Sequence, residues 1–191
     1  MSATPPPSPI LRALYGAYRL ARLDPDGVKY FNDSVDGFWH SFRAALVVLP
    51  LFAGTVLARW SSLPPETVSG WRFLSIEIIA YVIAWTAFPV LMVLVVKVID
   101  REQFYIRGVV AYNWAAVLQN VLYMPIAILS LTGVGGTEPL ALIILFAVLF
   151  YSWFVAKTAL QLSPLMAWGI VALDLLVSMV VSFWADSLIM S

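Results

Sequence analysis

The chain of 191 residues has no cysteine and a single histidine, His40. Those absences exclude disulfides, thiol nucleophiles, cysteine-held metals and a zinc site built on two histidines. Charge is also scarce. Only 12% of residues are Asp, Glu, Lys or Arg, against about a quarter in a soluble domain. Basic and acidic residues number 11 each, so bulk charge gives no reason to expect a nucleic-acid partner. There is no Gly-x-Ser-x-Gly elbow and no phosphate-cradling glycine loop; "GVGG" at 133–136 lacks the lysine that would follow. No catalytic residue, cofactor or metal is assigned, and a non-enzymatic protein is expected. The start, "MSATPPPSPI", lacks the charged stretch and apolar run of a signal peptide, and its prolines suit an extended lead-in.

What the chain has in abundance is apolar residues, 62% of the total. That leaves too little polar surface to cover a water-soluble globule. A helix crossing a bilayer needs about 20 mostly apolar residues. Five stretches meet that length: 38–58, 73–99, 108–131, 140–160 and 164–189. Prolines and charges in "RWSSLPPETVSGWR" and "DREQFYIR" mark the first two breaks, "TGVGGTEP" is a glycine-rich turn, and in "QLSP" Ser163 can cap a helix that begins at Pro164. The expected architecture is an all-α integral membrane protein of five transmembrane helices, with residues 1–37 as lead-in and 38–191 as the membrane domain. Pro50, Pro89 and Pro125 fall inside the first three spans, where neighbouring helices can compensate for the lost backbone bond.

Basic residues in short loops set orientation. Arg12, Arg19, Arg22, Lys29 and Arg43 precede or open the first span, Lys97, Arg101 and Arg107 flank the second connection, and Lys157 lies by the last turn. The opposite side holds only Arg59 and Arg72. The N-terminus is therefore expected in the cytoplasm and the C-terminus across the membrane. Trp39, Trp60, Trp71, Trp153, Trp168 and Trp184 fall near span ends, whereas Trp85 and Trp114 lie deeper and are expected to pack between helices.

In the lead-in, "SPILRALYGAYRLARLDPDG" reads as a short amphipathic helix ending before Asp24–Pro25, with Ile10, Leu11, Leu14 and Tyr18 at helical spacing. Two readings stand side by side. The helix lies on an anionic lipid surface through Arg12, Arg19 and Arg22, or it packs on the spans or a partner. The aspartates of "DPDGVKYFNDSVDGF" miss the calcium-loop spacing, because Gly27 comes three residues after Asp24; turns and caps account for them better.

Polar residues within the spans are the candidate functional groups. Asp174 falls roughly ten residues into the fifth span, about 15 Å deep at ~1.5 Å per residue. Lys157 lies about one turn from the end of the fourth span, too shallow to meet it, and belongs to the headgroup region. Asp174 is expected to find partners on the third span, where Asn113, Gln119 and Asn120 form a polar stripe facing Ser178 and Ser182 of the fifth. Toward the outer side, Glu77 is expected either to pair with Arg59 or to snorkel to the interface, and Asp186 to be solvated.

Residues 104–182 resemble a Yip-type domain, a family of five-span membrane proteins related to Rab-interacting trafficking factors. The resemblance is carried by "YIRGVVAYNWAAVLQNVLYMPIAILSL" and "LFYSWFVAKTALQLSPLMAWGIVALDLLVSMVV", in which Tyr112, Pro125, Trp153, Ala159, Leu160, Ser163 and Ala167 fit the family layout. The lead-in "LDPDGVKYFNDSVDGFWHSFRAAL" is similar to that of bacterial members, which implies the inner membrane of a bacterial cell. Family members act by binding partners and organising membranes, with the N-terminus in the cytoplasm. Their eukaryotic forms carry a long cytoplasmic region that is replaced here by a short segment, so Rab binding is not carried over.

The expected function is that of a membrane-organising scaffold working through helix–helix and lipid contacts, self-associating or joined to a membrane-protein partner. The alternative is a small transporter or channel using the polar residues around Asp174. Because no native cysteine interferes, Ser2→Cys and Ser191→Cys are predicted to react with an impermeant thiol reagent from opposite sides of sealed vesicles. Labelling of both from one side contradicts five spans.

Overall fold

The computed structural model describes residues 8–64 and 68–191. The proline-rich start at 1–7 and residues 65–67 of the first interhelical loop lie outside the described residues, so the extended lead-in expected there does too. Among the described residues the fold is helical with no strand. Helices α1 (Pro9–Ala21), α2 (Val35–Ser41), α3 (Arg43–Ser62), α4 (Gly70–Val98), α5 (Tyr105–Leu131), α6 (Glu138–Ala159) and α7 (Pro164–Met190) follow in order. Five segments are long and apolar enough to cross a membrane, with α2 and α3 together making the first. The chain is an integral membrane protein.

The spans begin and end where local chemistry dictates. Ser69 and Ser163 accept the backbone N–H of Arg72 and Met166 and so cap α4 and α7. Gly133 and Gly136 take positive φ after α5, the left-handed region that glycine enters without a Cβ clash. Pro50, Pro89 and Pro125 remain inside α3, α4 and α5 without ending them. The first span differs from expectation. It starts earlier and is interrupted at Phe42, between α2 and α3. The buried Ser41 hydroxyl sits at this break, donating to the Phe38 carbonyl at 2.7 Å and accepting from Asn113 Nδ2 at 2.8 Å.

The five spans form a ring. α3 meets α5, α5 meets α6, α6 meets α7, α7 meets α4, and α4 returns to α3. Small residues such as Ala44, Ala111, Ala115, Ala159 and Ala167 are buried at the contacts, where they let helix backbones approach. Large apolar residues such as Leu57, Val90, Leu94, Phe146 and Phe183 point outward. That distribution suits hydrocarbon as the surrounding solvent. Trp85 and Trp114 are buried between helices, while Trp39, Trp60, Trp71, Trp168 and Trp184 are exposed toward the ends.

The lead-in packs on the bundle. Ser8 and Pro9 start α1, whose buried face is Ala13, Gly16, Ala17 and Leu20; of the expected apolar stripe, Ile10 and Leu14 pack against the core beside it, whereas Leu11 and Tyr18 are exposed. Ala13, Gly16 and Ala17 let the helix approach its neighbours closely, and Leu20 fills the space at the end of that face. Tyr151 of α6 donates to the Ala17 carbonyl at 2.9 Å. Gly16 and Gly27 face each other so closely that a Cβ on Gly16 would come within 2.8 Å of the Gly27 carbonyl oxygen. Asp24 caps the 3-10 turn Pro25–Tyr30 through the Asp26 N–H and forms an ion pair with Arg19.

Hydrogen bonding from the Arg19 guanidinium holds the Asp24 carboxyl below its ordinary value. A carboxyl depressed in the fold contributes stability that is complete above its unfolded value and fades as pH falls through the lower folded one. Protection of 9–31 in hydrogen exchange is therefore predicted to decline on acidification through that range. Asp24→Asn is predicted to lower protection at neutral pH and to remove the acid-side dependence.

Candidate functional site

The ring of helices lines an open cavity of about 390 Å³ to which every span contributes. Its polar lining is Arg59 from α3, Glu77 from α4, Gln119 and Asn120 from α5, Ser152 from α6, and Asp174, Ser178 and Ser182 from α7. Phe52, Tyr81, Trp85 and Leu149 supply apolar wall between them. Volumes of this size hold water readily where polar partners are present.

Asp174 Oδ1 accepts the Tyr112 hydroxyl of α5 at 2.8 Å. Beside this pair, Gln119 Nε2 donates to Ser152 Oγ at 3.0 Å. These four residues line both the large cavity and a second, small one of about 30 Å³ toward the N-terminal end of the bundle. The small cavity is otherwise walled by apolar residues including Phe88, Met92, Leu160 and Ile170. The Tyr112–Asp174 and Gln119–Ser152 bonds thus stand between the two spaces. Phe88 lies against the Tyr112 ring, centroids 4.4 Å apart, and Tyr105 donates to the Pro89 carbonyl at 3.0 Å. These contacts draw α4 onto α5 at the N-terminal end and limit how far Tyr112 can move.

At the opposite end, Arg59 joins three helices. Its Nη1 lies 2.7 Å from Glu77 Oε1 on α4, and its Nη2 lies 2.5 Å from Asp186 Oδ1 on α7. Of the two expectations for Glu77, the structure shows the pair with Arg59. Asp186 is exposed, as expected, and also completes the bridge. One turn after Ser182 on α7, it reaches a guanidinium already fixed by Glu77. Glu77 is only 4% exposed, so its charge depends on this partner.

Of the expected polar cluster, the structure brings together Gln119, Asn120, Asp174 and Ser178 around the cavity. Asn120 lines it while donating to its own helix at Ala116 O, 2.7 Å. Asn113 does not join them. It shares a helical face with Asn120 but lies about 10 Å nearer the N-terminal end, where α2 covers that face and Ser41 takes its amide. Lys157 stays apart from Asp174, as expected; its ammonium rests over the Trp153 ring at 5.0 Å. Tyr112, Ser152 and Asp186 were missing from the expected site. Tyr112 and Gln119 are seven residues apart and share a helical face, a signal that could have placed Tyr112 beside the α7 stripe.

The lead-in arginines are engaged in different ways. Arg19 is taken up by Asp24 and Tyr30, the latter at 3.0 Å, and Arg22 lies over the Tyr18 ring at 5.9 Å. Arg12 reaches the Lys29 carbonyl at 3.5 Å. Compared with known proteins, the chain matches no family model, no curated protein and no solved structure.

Removing one partner of a buried ion pair leaves the other charge uncompensated. Arg59→Met is predicted to lower the thermal midpoint, and Arg59→Met with Glu77→Gln to recover part of the loss. The double-mutant cycle should give a coupling of roughly 1–3 kcal/mol. Additive losses would show that the pair carries no coupling.

Proposed function

We propose that the protein conducts or carries a small cation, protons included, through the cavity between its five spans, with Asp174 as the central binding group. The observation that carries this reading is that Asp174, Gln119, Asn120, Ser152 and Ser178 converge from three helices on one cavity at mid-bundle. Polar groups serving only to hold helices together need no space between them. The formal charges favour a cation: the lining holds the carboxyls of Glu77 and Asp174 against the one guanidinium of Arg59, which Asp186 also engages.

Magnitudes support an exchangeable partition. An interhelical hydrogen bond within a membrane contributes only about 0.6 kcal/mol on average. A passing ion or its water shell can offset the loss of the Tyr112–Asp174 and Gln119–Ser152 bonds. The step is an exchange of oxygen partners: the Tyr112 hydroxyl leaves Asp174 Oδ1, and the cation takes that place. With the N-terminus in the cytoplasm, as the loop charges suggest, the large cavity lies on the outer side and the small one on the inner side.

The scaffold reading has its own support. The Yip-type resemblance favours it, and so do the Tyr112–Asp174, Gln119–Ser152 and Arg59–Glu77 contacts, which join helices as polar glue would. Purified protein in proteoliposomes separates the two readings. Proton flux, followed by an internal pH dye, and rubidium flux are predicted to exceed those of empty vesicles. Asp174→Asn should reduce flux at least about tenfold, equivalent to ~1.4 kcal/mol, and Lys157→Gln should leave it unchanged. Absence of flux, with Asp174→Asn altering only stability or self-association, sinks transport and favours the scaffold.

A further inference from the structure

A different space opens at the N-terminal end of the bundle, beneath the lead-in. α1, the turn Pro25–Tyr30 and residues 31–34 arch over the start of α5 and over α2, forming an open pocket of about 810 Å³. Arg12, Lys29, Arg43 and Arg107 line it together with His40, and Asp33 is the one carboxylate among them. Ile10, Val28, Phe31, Val110 and Trp114 form its apolar part.

Not all of this positive charge is available. The Lys29 ammonium lies 2.6 Å from Asp26, and His40 Nδ1 lies 3.2 Å from Asp36. The three arginines differ. Arg12 makes only its 3.5 Å contact with the Lys29 carbonyl. The Arg43 side chain makes no hydrogen bond or ion pair among the described residues. Arg107 is held in place, its Nε donating to the Ala159 carbonyl at 2.7 Å and its guanidinium 4.6 Å from the centre of the Phe104 ring. Its Nη2 is buried without a partner. A buried donor left unmet costs about 1–3 kcal/mol, and an acceptor entering the cavity would remove that cost.

We infer that this cavity binds the phosphate group of an anionic phospholipid, held by Arg12, Arg43 and Arg107. Guanidinium forks match phosphate oxygens and are more weakly hydrated than ammonium groups. Phosphate could also arrive as a soluble anion. Two features favour the lipid: the partly exposed apolar surface of Ile10 and Val28 beside the arginines suits acyl chain, and the cavity lies at the span ends, where headgroups are found. The arginines concerned are not the trio expected from the sequence. Arg19 is committed to Asp24, and Arg22 does not line the cavity.

Native mass spectrometry of the full chain in detergent tests this with phosphatidylglycerol, phosphatidylcholine and inorganic phosphate as separate probes. The wild type is expected to retain phosphatidylglycerol over phosphatidylcholine. Inorganic phosphate at equal concentration should neither bind measurably nor displace the lipid. Arg12→Gln with Arg43→Gln should weaken phosphatidylglycerol binding about thirtyfold, from the attraction typical of two arginines near an anionic surface. Arg22→Gln should leave it unchanged, and Arg107 is left intact because it also ties α5 to α6. Equal retention of both lipids, or undiminished binding by the double variant, overturns the proposal. Displacement by inorganic phosphate overturns the lipid as source. If the double variant does not fold, the preference of the wild type between the two lipids decides.

Discussion

In hydrocarbon, every polar group must find its partner within the protein, and the structure is organised around that requirement. A charged residue at the centre of a span costs about 2.5–3.5 kcal/mol even on the mildest scale. Asp174 therefore cannot face lipid; α7 must turn it inward, and something must meet it there. Tyr112 does so across the helix interface. Once α7 is oriented by Asp174, Ser178 and Ser182 follow on the same face at intervals of four residues. The interior polar surface is thus a consequence of one carboxyl and the helical repeat.

The same requirement acts differently along the bundle axis. At the N-terminal end, Asn113 is met by Ser41 at the break between α2 and α3, and Tyr151 is met by the Ala17 carbonyl of the lead-in helix. There the lead-in supplies packing that five spans alone would lack. At the opposite end no such cap is present among the described residues. There the Arg59 guanidinium binds α3, α4 and α7 through Glu77 and Asp186, and Arg72 of α4 donates to the Leu188 carbonyl and the Ser191 hydroxyl at the end of α7. Between these tight ends the helices separate enough to leave the cavity, and small residues set the separation where they do touch.

Much of this is legible in the residues themselves. Apolar length marks all five spans, Ser163–Pro164 marks the start of the last, and proximity across a short loop pairs Arg59 with Glu77. The depth difference between Lys157 and Asp174 correctly keeps them apart. What could not be read is which neighbour covers a given helical face at a given depth. Asn113 and Asn120 share a face by the helical repeat, yet one meets α2 and the other the cavity. Likewise, the packing face of α1 is centred on Ala13, Gly16, Ala17 and Leu20 and takes in Ile10 and Leu14 but not Leu11 or Tyr18, a division set by where the neighbours lie. Asp186 joins Arg59 because three helices meet there, a coincidence of tertiary structure that no local pattern encodes.

The account stands on the cavity being wet. With no cysteine in the chain, Ser178→Cys places one thiol on its wall, and Phe183→Cys places one on the outward face of the same helix. In protein reconstituted into bilayers, a small water-soluble thiol reagent should modify the first and leave the second unreacted. If both resist modification equally, the polar residues enclose no water, and the account fails.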